Sequence, residues 1–293
     1  MIYVLPQDDI LSSVRTRVRD ATGAQWSDAE IYAALNDALS EWGRRVPVDL
    51  TYEPGAWPNA FYVTLPAWME PNYVRLDVDY GSGTSEWRAV PETHLSAPSP
   101  GTYRLHVTRS GISGLPYRLH HFVFNGPVPT TLPTLNTTLT DSGTSVILDG
   151  ALDVAYSGVV EIESEWILYQ GIARTATTTT LQSCTRGHQL TVAAAHTSGA
   201  SVKWCVLVPD TELLRQLYDQ IMLGLHEMVL HNTAPQGREL HERMVTYYQT
   251  RVNVFWQSWH APVVAAWEIS TPDGFADSLS YDRYDADSGR YTG

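Results

Sequence analysis

Only one of the 19 basic residues is a lysine, Lys203; acidic residues number 32, and the formal net charge is −13. A protein that grips nucleic acid carries the opposite balance, because affinity for phosphates is built from cations. Charged residues of both signs make up only 17% of the chain, below the usual quarter. Cysteine is scarce too. Cys184 and Cys205 are too few for a disulfide scaffold, and neither has a second Cys or a His nearby at ligand spacing, so both are expected to be reduced packing residues. No apolar run approaches the ~18 residues of a membrane helix. Residues 1–11 lack the basic start and apolar centre of a signal peptide. The expectation is a soluble protein folded in a cytoplasm, with no membrane partner. Hydrophobic residues make up 43% of the chain, with 10 Trp and 16 Tyr, which excludes a wholly disordered protein. Its 293 residues suffice for one large domain or two ordinary ones without a disulfide or metal staple.

Asp8 and Asp9 precede Ile10, Leu11, Val14 and Val18, a helical spacing with acids in the first turn. After Trp26, the run Ser27-Asp28-Ala29-Glu30 reads as a capping box, and Ile31, Leu35, Ala38, Leu39 and Trp42 then share one face until Pro47. From about residue 50 to 126 the period changes to two, as in Phe61-Tyr62-Val63-Thr64-Leu65 and Thr102-Tyr103-Arg104-Leu105-His106-Val107, which predicts antiparallel strands. A Thr- and Pro-rich bridge, Pro127 to Pro133, leads to a second β-rich stretch of about 134–206. Helical period returns after Pro209 with Leu214, Leu217, Ile221, Leu225 and Met228, and again with Leu240, Met244, Tyr247, Arg251, Phe255 and Trp259. Neither stripe can stay exposed, and both are expected to pack on the N-terminal pair.

The predicted fold class is α+β: a discontinuous α-helical bundle from the N- and C-terminal helices, with inserted antiparallel β-rich domains and an extended C-terminal tail. The expected division is 1–48 with 207–262 as the helical body, 49–128 and 129–206 as the β-rich insertions, and 263–293 as the tail. Residues 268–293 carry six acids and two arginines. The tail is expected to act as a tether, with Tyr281, Tyr284 and Tyr291 as aromatic anchors and Arg283 and Arg290 at their rim.

Catalytic patterns find no positive support. His226 and His231 are five residues apart, about 140° around a helix, where a zinc protease needs i and i+4. His241 lies beyond Pro235, so a three-ligand site needs tertiary structure to assemble it. His120 and His121 point to opposite faces of a strand. Glu161, Glu163 and Glu165 alternate as on one solvated strand face; an enzyme would require a pocket where that face meets His196. No nucleophile elbow, P-loop or dinucleotide fingerprint is present. The expectation is no catalysis, no metal and no cofactor. Trp57, Trp68 and Trp87 are core residues or, if exposed, platforms for sugars.

Two stretches resemble known families. Trp26-Ser27-Asp28-Ala29-Glu30-Ile31 followed by Leu35-Asn36-Asp37-Ala38 resembles the opening of tailed-bacteriophage head-to-tail adaptor proteins, also called head completion or connector proteins. Ser157-Gly158-Val159-Val160-Glu161-Ile162-Glu163-Ser164-Glu165, then Thr185-Arg186-Gly187, then Ala195-His196 with Gly199-Ala200-Ser201-Val202, is similar to a β module common in phage structural proteins. In that module Gly158, Gly187 and Gly199 suit tight turns, and Arg186 and His196 brace loops by hydrogen bonding. The resemblances imply a virion protein of the neck, made in the host cytoplasm. It would form an adaptor ring, in twelve copies, between the portal protein and the next neck or tail protein, with double-stranded DNA passing through and the tail gripping the portal. The alternative is a tail or baseplate component that binds a host surface through its β module.

Overall fold

A computed structural model describes residues 2–20, 22–23, 25–42, 45–66, 69, 74–81, 86–90, 93–99, 102–108, 111–232, 238–259, 269–270, 283–285 and 290–292. These fall into two compact units, Met1–Val48 with Phe124–Trp259, and Asp49–Val123 with His260–Gly293. Among the described residues four α-helices form: α1 (Gln7–Val18), α2 (Asp28–Trp42), α3 (Thr211–Asn232) and α4 (Arg238–Ser258).

In the first unit, α1 carries Asp8 and Asp9 in its first turn and Arg15 and Arg17 in its last, matching the helix dipole at both ends. It ends where Arg19 turns left-handed, at φ 55°, so that the Asp20 N–H reaches back to the Arg15 carbonyl at 3.0 Å. The capping box of α2 forms as its spacing predicts: the Glu30 N–H donates to Ser27 Oγ at 3.3 Å, and the Ser27 N–H donates to Glu30 Oε2 at 2.8 Å. Ser27→Ala is expected to cost about 1 kcal/mol, read as a lowered midpoint in urea unfolding with unchanged slope. Ile31, Leu35, Ala38, Leu39 and Trp42 are all buried along one face of α2. Asp210 caps α3, its Oδ1 accepting from the Leu213 N–H at 2.8 Å.

These helices do not make a free-standing bundle, and the predicted fold class is corrected on that point. Strands account for about 34% of the structure against about 31% helix, and the helices pack on sheet. Residues Tyr3–Pro6 form a strand that leads straight into α1 and pairs antiparallel with Val202–Val208, the strand that precedes α3. Gly158–Ile162 and Glu165–Tyr169 complete that four-stranded sheet. A second, three-stranded sheet joins Ile172–Arg174, Thr178–Leu181 and Val146–Asp149. Ile10, Leu35 and Leu217 from the helices share one hydrophobic core with Val160, Ile167 and Trp204 from the sheet. The single lysine ties the two layers together: Lys203 Nζ lies 3.2 Å from Glu161 on the neighbouring strand and 3.2 Å from Asp8 in the first turn of α1.

The second unit is strand-rich. One sheet runs in the order Val48–Ala56, Pro116–Val123, Arg75–Asp79, Trp87–Ala89; the other runs Ile269–Ser270, Thr93–Ser99, Thr102–Val107, Tyr62–Thr64. Leu76, Leu95, Leu105, Leu119 and Trp57 lie in its core. Trp57 is therefore a packing residue, with Nε1 donating to the Ala60 carbonyl at 2.9 Å. Trp87 is half-buried beneath the Arg118 guanidinium, 4.5 Å from the ring centroid. Trp68 lies outside the described residues. No helix among the described residues is long and apolar enough to cross a membrane.

Candidate functional site

The alternation of Glu161, Glu163 and Glu165 does not produce one carboxylate face. The chain reverses between Ile162 and Glu165, with Glu163 in the turn at φ 56°, and Ile162 pairs directly with Glu165. Glu161 and Glu165 therefore stand on adjacent strands and opposite faces. Glu161 bonds outward to Trp166 Nε1 and Lys203. Glu165 turns inward, and its side chain is only 1% exposed.

Buried there, the Glu165 carboxylate gathers Arg186, Gly187, Ala194 and His196. Oε1 accepts from Arg186 Nε at 2.7 Å and from the Gly187 N–H at 2.9 Å. Oε2 accepts from Arg186 Nη2 at 2.6 Å and from the Ala194 N–H at 3.1 Å, and His196 Nε2 lies 2.8 Å from it. Burial alone would raise the Glu165 carboxyl, but the bonds from Arg186, His196, Ala194 and Gly187 outweigh it and hold it at about 2. Arg186 also donates to the carbonyls of Thr140, Gly143 and Ala194. His196 Nδ1 lies 3.1 Å from Glu163 Oε2, and its backbone exchanges two 2.9 Å bonds with Leu139.

The glycines divide. Gly187 sits at φ 62°, and a Cβ there would lie 2.7 Å from the Thr191 carbonyl oxygen, so the loop that delivers Arg186 to Glu165 requires glycine. Gly199 is in a turn at φ 87°. Gly158 is not in a turn: it lies in a strand, where a Cβ would approach the Tyr169 hydroxyl to 3.0 Å. Glu165, which ties Arg186 to His196, was not recognisable as their partner from spacing, although a buried arginine demands a carboxylate. Glu163 and Glu165 do meet His196, but the imidazole is 1% exposed and only Glu163 reaches solvent. The chemistry of this cluster is cross-linking: it pins the loops at 140–143 and 186–196 to the 162–165 hairpin.

The helices bring two further groups together. His226 and His241, from α3 and α4, face each other with Nδ1 atoms 3.0 Å apart, while Tyr248 stacks on His226 at 5.9 Å. Burial first, then His241, pushes His226 down to about 4. His231 is exposed, and no set of three metal-ligating side chains occurs among the described residues. A cleft of about 540 Å³ between α2, α3 and α4 is lined by Asp37, Glu41, Arg45, Gln220 and Glu227 among others. Both cysteines are buried and free, and burial raises the Cys184 thiol to about 12.

Of the tail residues, Arg283 and Tyr284 fall in a short strand, Arg283–Asp285, paired antiparallel with Arg290–Thr292, which contains Arg290 and Tyr291; Tyr284 lies opposite Tyr291. Tyr281 lies outside the described residues.

The chain matches no known protein family, no curated protein and no solved structure.

Proposed function

We propose that this chain is a structural virion protein of the tailed-phage neck, an oligomeric adaptor that joins the portal to the tail and lets DNA pass. The observation that carries the reading is that the two phage-like stretches, far apart in sequence, fold into one body. Trp26, Leu35 and Ala38 from the first share a core with Val160, Ile162 and Val202 from the second. The polar residues of the second stretch support a structural role, since Glu165, Arg186 and His196 bond one another and backbone in a closed cluster. Ring assembly is supported by α4, which leaves Leu240, Tyr247 and Val254 exposed at seven-residue spacing. An apolar stripe of this kind suits contact with a second copy. The net charge of −13 suits a conduit along which phosphates slide without sticking.

Electron microscopy of virions is the direct test. Density for this chain is expected at the portal vertex, and density at the tail tip would replace this reading with the baseplate one. Removal of residues 270–293 is expected to abolish co-sedimentation with portal rings while leaving the circular dichroism spectrum of the helices in place. Undiminished co-sedimentation removes the tether from the proposal.

A further inference from the structure

In the second unit, one group of side chains carries a chemistry that its neighbours leave unanswered. Alternation along Tyr62–Thr64, Thr93–Ser99 and Thr102–Val107 sends Val63, Leu95, Leu105 and Val107 into the core. Tyr62, Thr64, His94, Ser96, Arg104 and His106 share the opposite face, and each is half-buried or exposed. The register sets them in two rows, Tyr62–His106–His94 and Thr64–Arg104–Ser96.

Within the rows the contacts are close. The His94 and His106 rings stack at 4.6 Å and 13°, and Tyr62 flanks His106 at 5.4 Å. The Arg104 guanidinium lies over the Tyr62 ring at 4.5 Å, and Ser96 Oγ is 2.6 Å from His106 Nε2. Arg104 takes part in none of the ion pairs among the described residues, and its Nε is buried without a hydrogen-bond partner. Among the described residues, a guanidinium and two imidazoles thus stand together without a carboxylate ion pair, in a chain whose net charge is −13. His106 is held below the ordinary imidazole range by burial first, then by His94 and Arg104.

We propose that this sheet face binds an oxyanion of the phosphate or sulfate type. The guanidinium fork is planar and matches two oxygens of such an anion, and the imidazole N–H groups and the Ser96 and Thr64 hydroxyls supply further donors. Among the described residues, the groups facing His106 are His94 from one neighbouring strand, Tyr62 from the other and Arg104 from its own, so an arriving anion is a counter-charge that favours protonation of His106. Anion binding is therefore linked to proton uptake, and affinity rises as pH falls through the imidazole range.

Sulfate, which stays dianionic across that range, is the probe. Titrated into the full chain, it is expected to shift the His94 and His106 ring proton resonances saturably, with affinity about tenfold higher at pH 5.5 than at pH 7.5. Arg104→Gln is expected to weaken binding about tenfold or more at both pH values. His94→Ala, at the exposed rim, is expected to reduce the pH dependence while the amide spectrum stays that of a folded chain. Absence of saturation, or equal affinity in both variants, overturns the site. A single-stranded oligonucleotide run alongside distinguishes the source of the anion. Binding tighter than sulfate and lost in Tyr62→Ala assigns the phosphate to a strand, whereas binding no tighter assigns a free anion.

Discussion

Glu165→Gln is expected to destabilise the unit that contains it by about 3–5 kcal/mol, because removing one partner strands the other charge in a low-dielectric interior. The Arg186 side chain is 7% exposed, so water cannot replace the lost carboxylate. An amide retains the shape of the site but supplies a single acceptor oxygen where the carboxylate serves Arg186, Gly187, Ala194 and His196. Urea unfolding at pH 7 measures the loss, and a change below 1 kcal/mol would show that the cluster is incidental. The pH dependence has a definite sign. The folded carboxyl lies at about 2, below its ordinary value of 4.5, so its contribution is complete above about pH 4.5 and disappears as pH falls from there to about 2. The wild-type chain should lose on the order of 3 kcal/mol over that interval through this group, and the Gln variant should not.

Asp77→Asn is expected to act in the second unit on a similar scale, about 3 kcal/mol. The Asp77 carboxylate, 5% exposed, accepts from Arg118 Nε at 3.2 Å and Nη2 at 2.9 Å, and it meets His120 Nε2 at 3.0 Å. Arg75 lies 3.3 Å away. Burial opposes ionisation, yet the Arg118 bond and the charges of His120, Arg75 and Arg118 together hold the carboxyl below its usual range. His120 in turn bridges to Asp49 at 3.0 Å, so three strands of one sheet, Val48–Ala56, Arg75–Asp79 and Pro116–Val123, meet at this network. Amide hydrogen exchange should accelerate in all three strands of the variant. Exchange confined to the Arg75–Asp79 strand would show that Asp77 does not link them.

Local structure was legible in the sequence wherever the signal is carried by neighbours. The acids at the start of α1 and the capping box of α2 act within one helical turn and formed, and the α3 stripe is largely buried, but the α4 stripe does not pack away as expected: Leu240 and Tyr247 are exposed. The fold class was not legible, because it turns on the four-residue strand Tyr3–Pro6, whose partner lies some 200 residues further on. Four residues give no usable period. The 161–165 stretch misled for a related reason: alternation continued unbroken through a turn, and no glycine or proline marked the reversal. Arg186 and His196 were readable as loop braces, but their shared anchor Glu165 sits on a different strand and depends on that same hairpin. The His226–His241 contact spans two helices and likewise could not come from helical angles within one of them.

The pairing of Tyr3 with Val208 also governs the order in which the chain can fold as it is synthesised. Tyr3–Pro6 emerges from the ribosome before the Val202–Val208 strand and has no partner until that strand follows. At ~5–20 residues per second that delay is roughly 10–40 s. During it, the strands between residues 49 and 123 are complete and free to pair with one another, apart from the Ile269–Ser270 edge. Tyr3–Pro6 therefore pairs only after the strands of 49–123 have been made, and it is an unpaired edge for chaperones to shield in the meantime.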